Sequence, residues 1–230
     1  MDKRLACGDP ERMGYIEYRC LHCGEGTHRV SMSGKSSLCW RCAKVSVDNG
    51  VSPVSKRLHE GVIYRHIVLT MPALLRTTFS QQSTAVLRPF MRCGVQCVDE
   101  VFSRVSGKPL KGGDIVVIQP HGRHGPSNPH LHSIATRGGG DPQACQWVPL
   151  DYVPSPMLRK KWQWHLLTML RQTVQTKEIQ RLVEACYTRY REGFVTNVPQ
   201  GDVPSRSQSL ATSLAKYVVS PPLSLRRIDR

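Results

Sequence analysis

The chain has 230 residues, enough for one domain of ordinary size or one domain with a small satellite. Hydrophobic residues make up 40%, which allows a buried core and excludes wholesale disorder. Lys and Arg total 32 against 17 Asp and Glu, and the net charge of +15 points to a polyanionic partner, either nucleic acid or an anionic membrane surface.

No apolar run approaches the length of a membrane span, and Asp2, Lys3 and Arg4 lead toward Cys7 without a signal-peptide pattern. The expectation is a cytoplasmic, nucleoid-associated protein that acts on nucleic acid and not on a membrane.

Five of the nine cysteines, Cys7, Cys20, Cys23, Cys39 and Cys42, fall at the N-terminal end. Cys20-Leu21-His22-Cys23 and Cys39-Trp40-Arg41-Cys42 are two CxxC pairs separated by fifteen residues. That spacing is a zinc-site spacing. Each CxxC makes a tight knuckle that aims two thiolates at one point, and two knuckles close a tetrahedral site. Cys20, Cys23, Cys39 and Cys42 are therefore the expected ligands of a structural zinc. Cys7, His22 and His28 are spare candidates, and Cys7 could replace one member of the set. The competing reading is four unrelated thiols. Thr27 to Val30 is a candidate strand between the pairs. Cys93, Cys97, Cys145 and Cys186 are scattered, as small core residues would be.

Val62 to Thr70 is rich in β-branched residues and stops at Met71-Pro72, so a strand is expected there. A helix is expected from Gln81 to Arg104, with Leu87, Met91, Val95, Val98 and Phe102 on its apolar face. Asp114 to Ile118 and His130 to Ala135 are two further strands. Pro120 to Pro129 reads as their connection, carrying His121 and His124, and Gly138-Gly139-Gly140 as a closing turn. Beyond Ser155 the chain reads as helices. One runs through Trp162, Leu166, Leu170 and Val174. Another carries Ile179, Leu182, Val183, Cys186, Tyr187 and Tyr190, and Gly193 ends it. A last helix is expected from Gln208 to about Val219, capped by Ser207.

Strands followed by helices, with no βαβ alternation, indicate an α+β fold. We expect an antiparallel central sheet with flanking helices, preceded by a small zinc-ribbon-like module. Residues 1–50 would be the zinc-binding module and residues 51–230 the main domain. No GxGxxG or Walker-type loop is present, which argues against a nucleotide-binding enzyme.

His130 and His132 sit two apart on an expected strand, so both imidazoles project to one side. Such a pair can hold a divalent metal if a third ligand comes from a neighbouring element. It also occurs often by chance. Tyr217 shares a helical face with Leu210 and Leu214, which suits a core aromatic. It would equally suit a nucleophile placed beside a metal that polarises a phosphodiester. The basic runs Arg159-Lys160-Lys161, Arg189 with Arg191, and Arg226-Arg227 suit solvated faces or phosphate contacts. Trp147, Trp162 and Trp164 could stack on unpaired bases, with Trp162 also suited to the core.

The order of these motifs resembles the rolling-circle insertion-sequence transposases of the insertion-sequence-91 type, within the His-hydrophobic-His single-strand endonucleases. The resemblance runs from about Cys20 to Arg227. It rests on the cysteine-rich start, His66-Ile67-Val68-Leu69-Thr70-Met71-Pro72, Asn128-Pro129-His130-Leu131-His132-Ser133 with its Gly-rich turn, and Leu214-Ala215-Lys216-Tyr217. It implies that His130 and His132 bind a catalytic Mg or Mn ion. It also implies that Tyr217 attacks a phosphorus in single-stranded DNA at transposon ends, forming a 5′-phosphotyrosine and releasing a 3′-hydroxyl. The resemblance names no third ligand, although Gln119 is near in sequence.

The chain departs from those relatives in three ways. Ser213 stands four residues before Tyr217, where some relatives have a second tyrosine. Ser36-Ser37-Leu38 precedes Cys39 in place of an Arg- and His-containing run. The chain also ends 13 residues after Tyr217, where relatives usually continue, so the C-terminal part is expected to be incomplete. The alternative reading is a non-catalytic zinc-ribbon DNA-binding protein or a decayed transposase fragment.

Overall fold

The computed structural model describes residues 6–34, 39, 42, 45, 49, 54, 56–59, 61–81, 83–121 and 127–199. Tyr217, the expected helix from Gln208 to Val219, and His124 lie outside the described residues. The chain forms two compact units. One is built from the described part of Met1–Arg57, the other from Leu58–Gly122 and Pro126–Leu210.

The first unit contains a short helix α1 (Pro10–Met13) and a hairpin of β1 (Tyr15–Arg19) and β2 (Thr27–Ser31). Asp9 caps α1 by accepting from the Glu11 N–H at 3.0 Å. The strands pair antiparallel from Tyr15 opposite Ser31 to Arg19 opposite Thr27. Glu17 faces Arg29 and accepts from it at 2.8 Å, and Arg19 binds the same carboxylate. The Arg29 guanidinium also lies 4.6 Å from the Tyr15 ring centre. Exposed pairs of this kind are screened by water and add little to stability. A metal therefore has more to contribute to this small unit than its surface pairs do.

The second unit is an antiparallel sheet backed by helices, as the α+β expectation holds. Its strands are β3 (Tyr64–Thr70), β4 (Asp114–His121), β5 (Ser127–Thr136) and, after a separate hairpin, the short β8 (Thr196–Asn197). The sheet order is β4-β5-β3-β8. β5 is thus central, with Leu131 opposite Leu69 on one side and Ile118 on the other. It begins three residues earlier than expected, so Ser127, Asn128 and Pro129 are strand and not connection. His121 closes β4 and is likewise not in a loop.

The two faces of this sheet have different fates. Ile67, Leu69, Leu131 and Ala135 share one face and are fully buried. Helices α2 (Ala73–Gln81), α3 (Ser83–Ser106), α4 (Ser155–Thr173) and α5 (Lys177–Arg189) join these residues in one hydrophobic core. The close approach of α3 depends on Gly94, where a Cβ would stand 2.5 Å from Leu131 Cδ1. The buried stripe of α3 is Val86, Phe90, Cys93, Cys97 and Val101, at i, i+4, i+7, i+11 and i+15. The expected stripe was rotated from this one: Leu87 is exposed, while Val98 and Phe102 are buried in both readings. Cys93, Cys97 and Cys186 are core residues, and burial pushes the Cys93 thiol up to about 12. Cys145 is instead exposed.

On α4, Trp162, Leu166 and Leu170 are buried as the periodicity requires. The Trp162 indole N–H donates to the Thr70 carbonyl at 3.0 Å, which ties α4 to the end of β3. Glu100 of α3 accepts from Lys161 and from His165 Nε2 of α4, the latter at 2.9 Å. Thr176 caps α5 through Ile179 N–H. The glycines expected to make a turn are a strand, β6 (Gly138–Asp141), paired with β7 (Gln146–Pro149). Among the described residues no helix is long and apolar enough to cross a membrane.

Candidate functional site

The face of the sheet opposite the helices carries the histidines. Directly opposed residues in a sheet share a face, and residues two apart along a strand do as well. Thr70 and Gln119 flank His130, while Val68 and Val117 flank His132. All six therefore lie on one face. His66, two residues before Val68, lies on it too.

His132 is the middle of a row of three imidazoles. Its Nδ1 is 2.9 Å from His66 Nε2, and the two rings stack with centres 5.1 Å apart and planes 12° apart. On the other side the His130 ring centre is 4.9 Å away. His130 Nδ1 is 2.6 Å from the Asn128 carbonyl oxygen. A carbonyl only accepts, so the proton sits on Nδ1 and the Nε2 lone pair of His130 is available to a metal.

The electrostatics suit cation binding. Burial, followed by the neighbouring His130 and His66, lowers the His132 pKa to about 4. Burial also lowers the pKa of His66. Both rings are therefore neutral at neutral pH, the form that ligates a metal. His66 was missed in the sequence because a lone histidine in a β-branched strand carries no spacing signal. Only the register of β3 against β5 reveals it.

The cysteines divide differently from expectation. The Sγ atoms of Cys7, Cys39 and Cys42 all lie within 4.8 Å of one another, with Cys7 and Cys42 3.3 Å apart. A tetrahedral zinc site with Zn–S bonds near 2.3 Å has sulfur–sulfur edges of about 3.8 Å, so these three thiols fit a zinc ion. Gly34 donates its N–H to Cys7 Sγ at 3.4 Å. That bond favours the thiolate, but the neighbouring Cys42 thiol, burial and Cys39 outweigh it and raise the Cys7 pKa.

Cys20 and Cys23 do not join this cluster. They occupy the closed tip of the β1–β2 hairpin and are exposed, whereas Cys7 adjoins Met32 at its open end. Five residues of strand separate the two ends, roughly 17 Å. The hairpin holds the first CxxC pair away from Cys39 and Cys42, and the Cys7 thiol lies beside those two instead. The Cys20-Cys23 turn is nevertheless a shaped knuckle. Gly24 N–H closes it on the Cys20 carbonyl at 3.0 Å, and Gly24 has φ +68. Backbone N–H groups of Cys23 and then His22 hold the Cys20 thiol below its ordinary pKa. Among the described residues no third His, Cys, Asp or Glu completes a site with this pair.

Sequence comparisons relate the chain to known proteins. Residues 1–71 match the family described as "Transposase zinc-binding domain". Residues 113–230, just over half of the chain, match the family described as "Putative transposase". The chain belongs to this family of transposases, of the insertion-sequence-91 type with an N-terminal zinc-binding domain. A curated relative is the transposase for insertion sequence element IS801 of Pseudomonas savastanoi pv. phaseolicola, 26% identical over 163 residues. That match covers 70% of this chain and 38% of the relative, so the chain spans well under half of the relative's length. No solved structure matches the chain.

Proposed function

We propose that the protein nicks and rejoins single-stranded DNA at transposon ends, working in the cytoplasm on rolling-circle transposition. The observation that carries this reading is the row of His66, His132 and His130 on the sheet face turned away from the helices. His130 and His132 side by side on one rigid face would hold the divalent ion, Mg or Mn, that the family resemblance implies, with His66 holding the His132 ring and Gln119 facing the same side. When bound, that ion supplies Lewis-acid polarisation of the scissile phosphate.

The chain's own residues supply the rest. The Asn128 carbonyl fixes the His130 tautomer, and the β3–β5 register fixes the spacing of the row. Tyr217 is the nucleophile. Its phenol oxygen forms a bond to phosphorus, the bond from phosphorus to the 3′ oxygen breaks, and the phenol proton ends on the released 3′-hydroxyl. The phosphotyrosine keeps the ester bond energy, so the reverse attack by a 3′-hydroxyl rejoins a strand. Cys7, Cys39 and Cys42 hold a structural zinc in the N-terminal unit as three of its four ligands.

The test is covalent trapping. The full chain is incubated with a labelled single-stranded oligonucleotide carrying the element's end, with and without Mn. The expected result is a Mn-dependent adduct that Tyr217→Phe abolishes. Zinc and DNA binding with no adduct would instead favour the non-catalytic zinc-ribbon reading.

A further inference from the structure

Three tryptophans are described, and they are not equivalent. Trp162 is fully buried and spends its N–H on Thr70. Trp164 is half exposed on α4, with the Lys161 ammonium 5.8 Å from its ring centre. Trp147 is 51% exposed on β7, opposite Gly140, which offers it no side chain to pack on. What sets Trp147 apart from other exposed apolar side chains is the cavity beside it.

Trp147 borders a cavity of about 370 Å³. Ile63 and Pro149 continue its apolar wall, and Arg137 and Asp151 line its polar side. Ile63 is itself 41% exposed. Arg137 donates to Asp151 Oδ1 at 2.8 Å, and the Asp151 side chain is otherwise 86% exposed, so much of its carboxylate faces solvent.

The walls are braced. Arg65 donates to the carbonyls of Leu150 and Asp151 at 3.1 and 2.9 Å. Arg137 N–H donates to the Ile63 carbonyl at 2.8 Å. The hairpin that carries Trp147 is packed backbone on backbone: a Cβ on Gly138 would stand 2.2 Å from the Val148 oxygen, and one on Gly139 would stand 2.9 Å from the Lys111 oxygen. The ring is thus presented by a preformed support, which lowers the ordering cost of binding.

We propose that this cavity is a slot for one unpaired nucleotide of single-stranded DNA, its base stacked on Trp147. A base offers a flat apolar face to the indole and N–H donors to the exposed Asp151 carboxylate, the acceptor pattern that reads a cytosine amino group. The chain's net charge of +15 draws in the phosphate backbone. Ile63 precedes His66 by three residues, roughly 10 Å along an extended chain, and by alternation belongs to the opposite face of β3, so a strand bound here reaches the histidine row by rounding the end of the sheet. The slot would hold DNA next to the cleavage position without taking part in chemistry. This inference rests on the single-strand reading proposed above.

The test uses the full chain and a fluorescein-labelled twelve-residue oligodeoxycytidine, read by anisotropy without added metal. Trp147→Ala should weaken binding about 5- to 100-fold, the range for losing one aromatic stacking partner, while Trp147→Tyr should restore most of it. Photocrosslinking the unaltered protein to the same oligonucleotide carrying 5-iododeoxycytidine should label the peptide that contains Trp147. That measurement stands even if the alanine variant fails to fold. Crosslinks found only elsewhere, or a folded Trp147→Ala that binds as tightly as wild type, overturn the slot. If the unaltered protein also forms the Tyr217 adduct, that result removes the slot alone. Absence of any binding to the oligonucleotide overturns both the slot and the single-strand reading.

Discussion

His66 Nε2 and His132 Nδ1 lie 2.9 Å apart although Val68, not His66, stands directly opposite His132. The contact is a diagonal across β3 and β5. It joins two residues 66 positions apart in the chain and makes β3 part of the site and not only its support.

That diagonal makes His66 a test of the site. His66→Ala should weaken Mn binding about 10- to 100-fold, the loss typical when a group that holds a ligating imidazole is removed. The check is calorimetric titration of Mn into the full chain, beside His130→Ala. Wild-type Mn affinity in His66→Ala would reduce His66 to a packing neighbour.

The thiol grouping predicts unequal effects within the first unit. Cys7→Ser and Cys39→Ser should each strip the zinc and lower the unit's thermal stability, because binding energy is folding energy in so small a unit. Cys20→Ser should leave the zinc at Cys7 in place. Elemental analysis of the purified variants decides it. Zinc retained in Cys7→Ser but lost in Cys20→Ser would restore the grouping expected from spacing.

Asp114 gives a pH signature. Its carboxyl is pushed up to about 6 by burial, against the hydrogen bond from Ser133 Oγ at 2.6 Å, and Asp99 adds to the rise. Its Oδ2 is shut from solvent with no hydrogen-bond partner among the described residues. The folded pKa lies above the ordinary value of 3.8, so the folded state holds the proton more tightly. Stability then falls as pH rises from about 4 to about 6, and the loss persists above that window. Relative to Asp114→Asn, wild type should lose on the order of 2 kcal/mol between pH 4 and pH 7. Urea denaturation of both proteins at the two pH values measures it. A difference that does not change with pH would show that Asp114 ionises normally.

Gly193 predicts a purely structural loss. Its φ is +83, and a Cβ there would stand 2.4 Å from the Arg159 carbonyl carbon. The adjacent Phe194 N–H donates to the Arg159 oxygen at 3.2 Å. Gly193→Ala should therefore destabilise the second unit by about 2 kcal/mol or more, from both φ strain and backbone collision. For a chain of this size that is roughly a 4–8 °C drop in melting temperature. An unchanged melting curve would mean that the segment after α5 shifts without cost.

Much of the architecture was legible because it is local. Strands β3 and β4 declare themselves by β-branched runs, and α4 by the spacing of Trp162, Leu166 and Leu170. The His130–His132 pair needs only the two-residue period of a strand. What escaped is what pairing decides. Gly138-Gly139-Gly140 has no strand propensity, and it is a strand because β7 and the Lys111 backbone hold it. The stripe on α3 turned toward Cys93 and Cys97, which count for little in an apolar periodicity but pack like small hydrophobes. Cys7 could be named only as a spare ligand, because it lies 32 residues before Cys39 and no spacing rule joins them. His66 needed the register of β3 on β5.

β5 serves two masters with alternate residues: His130 and His132 on one side, Leu131 and Ala135 on the other. Inserting or deleting a single residue within it would turn the imidazoles into the greasy interior and expose the leucine to water. Frameshifts aside, small length changes in this strand cannot silence the chemistry while sparing the scaffold. Within this strand, activity can therefore be lost quietly by substitution, one side chain at a time, but not by a single-residue insertion or deletion.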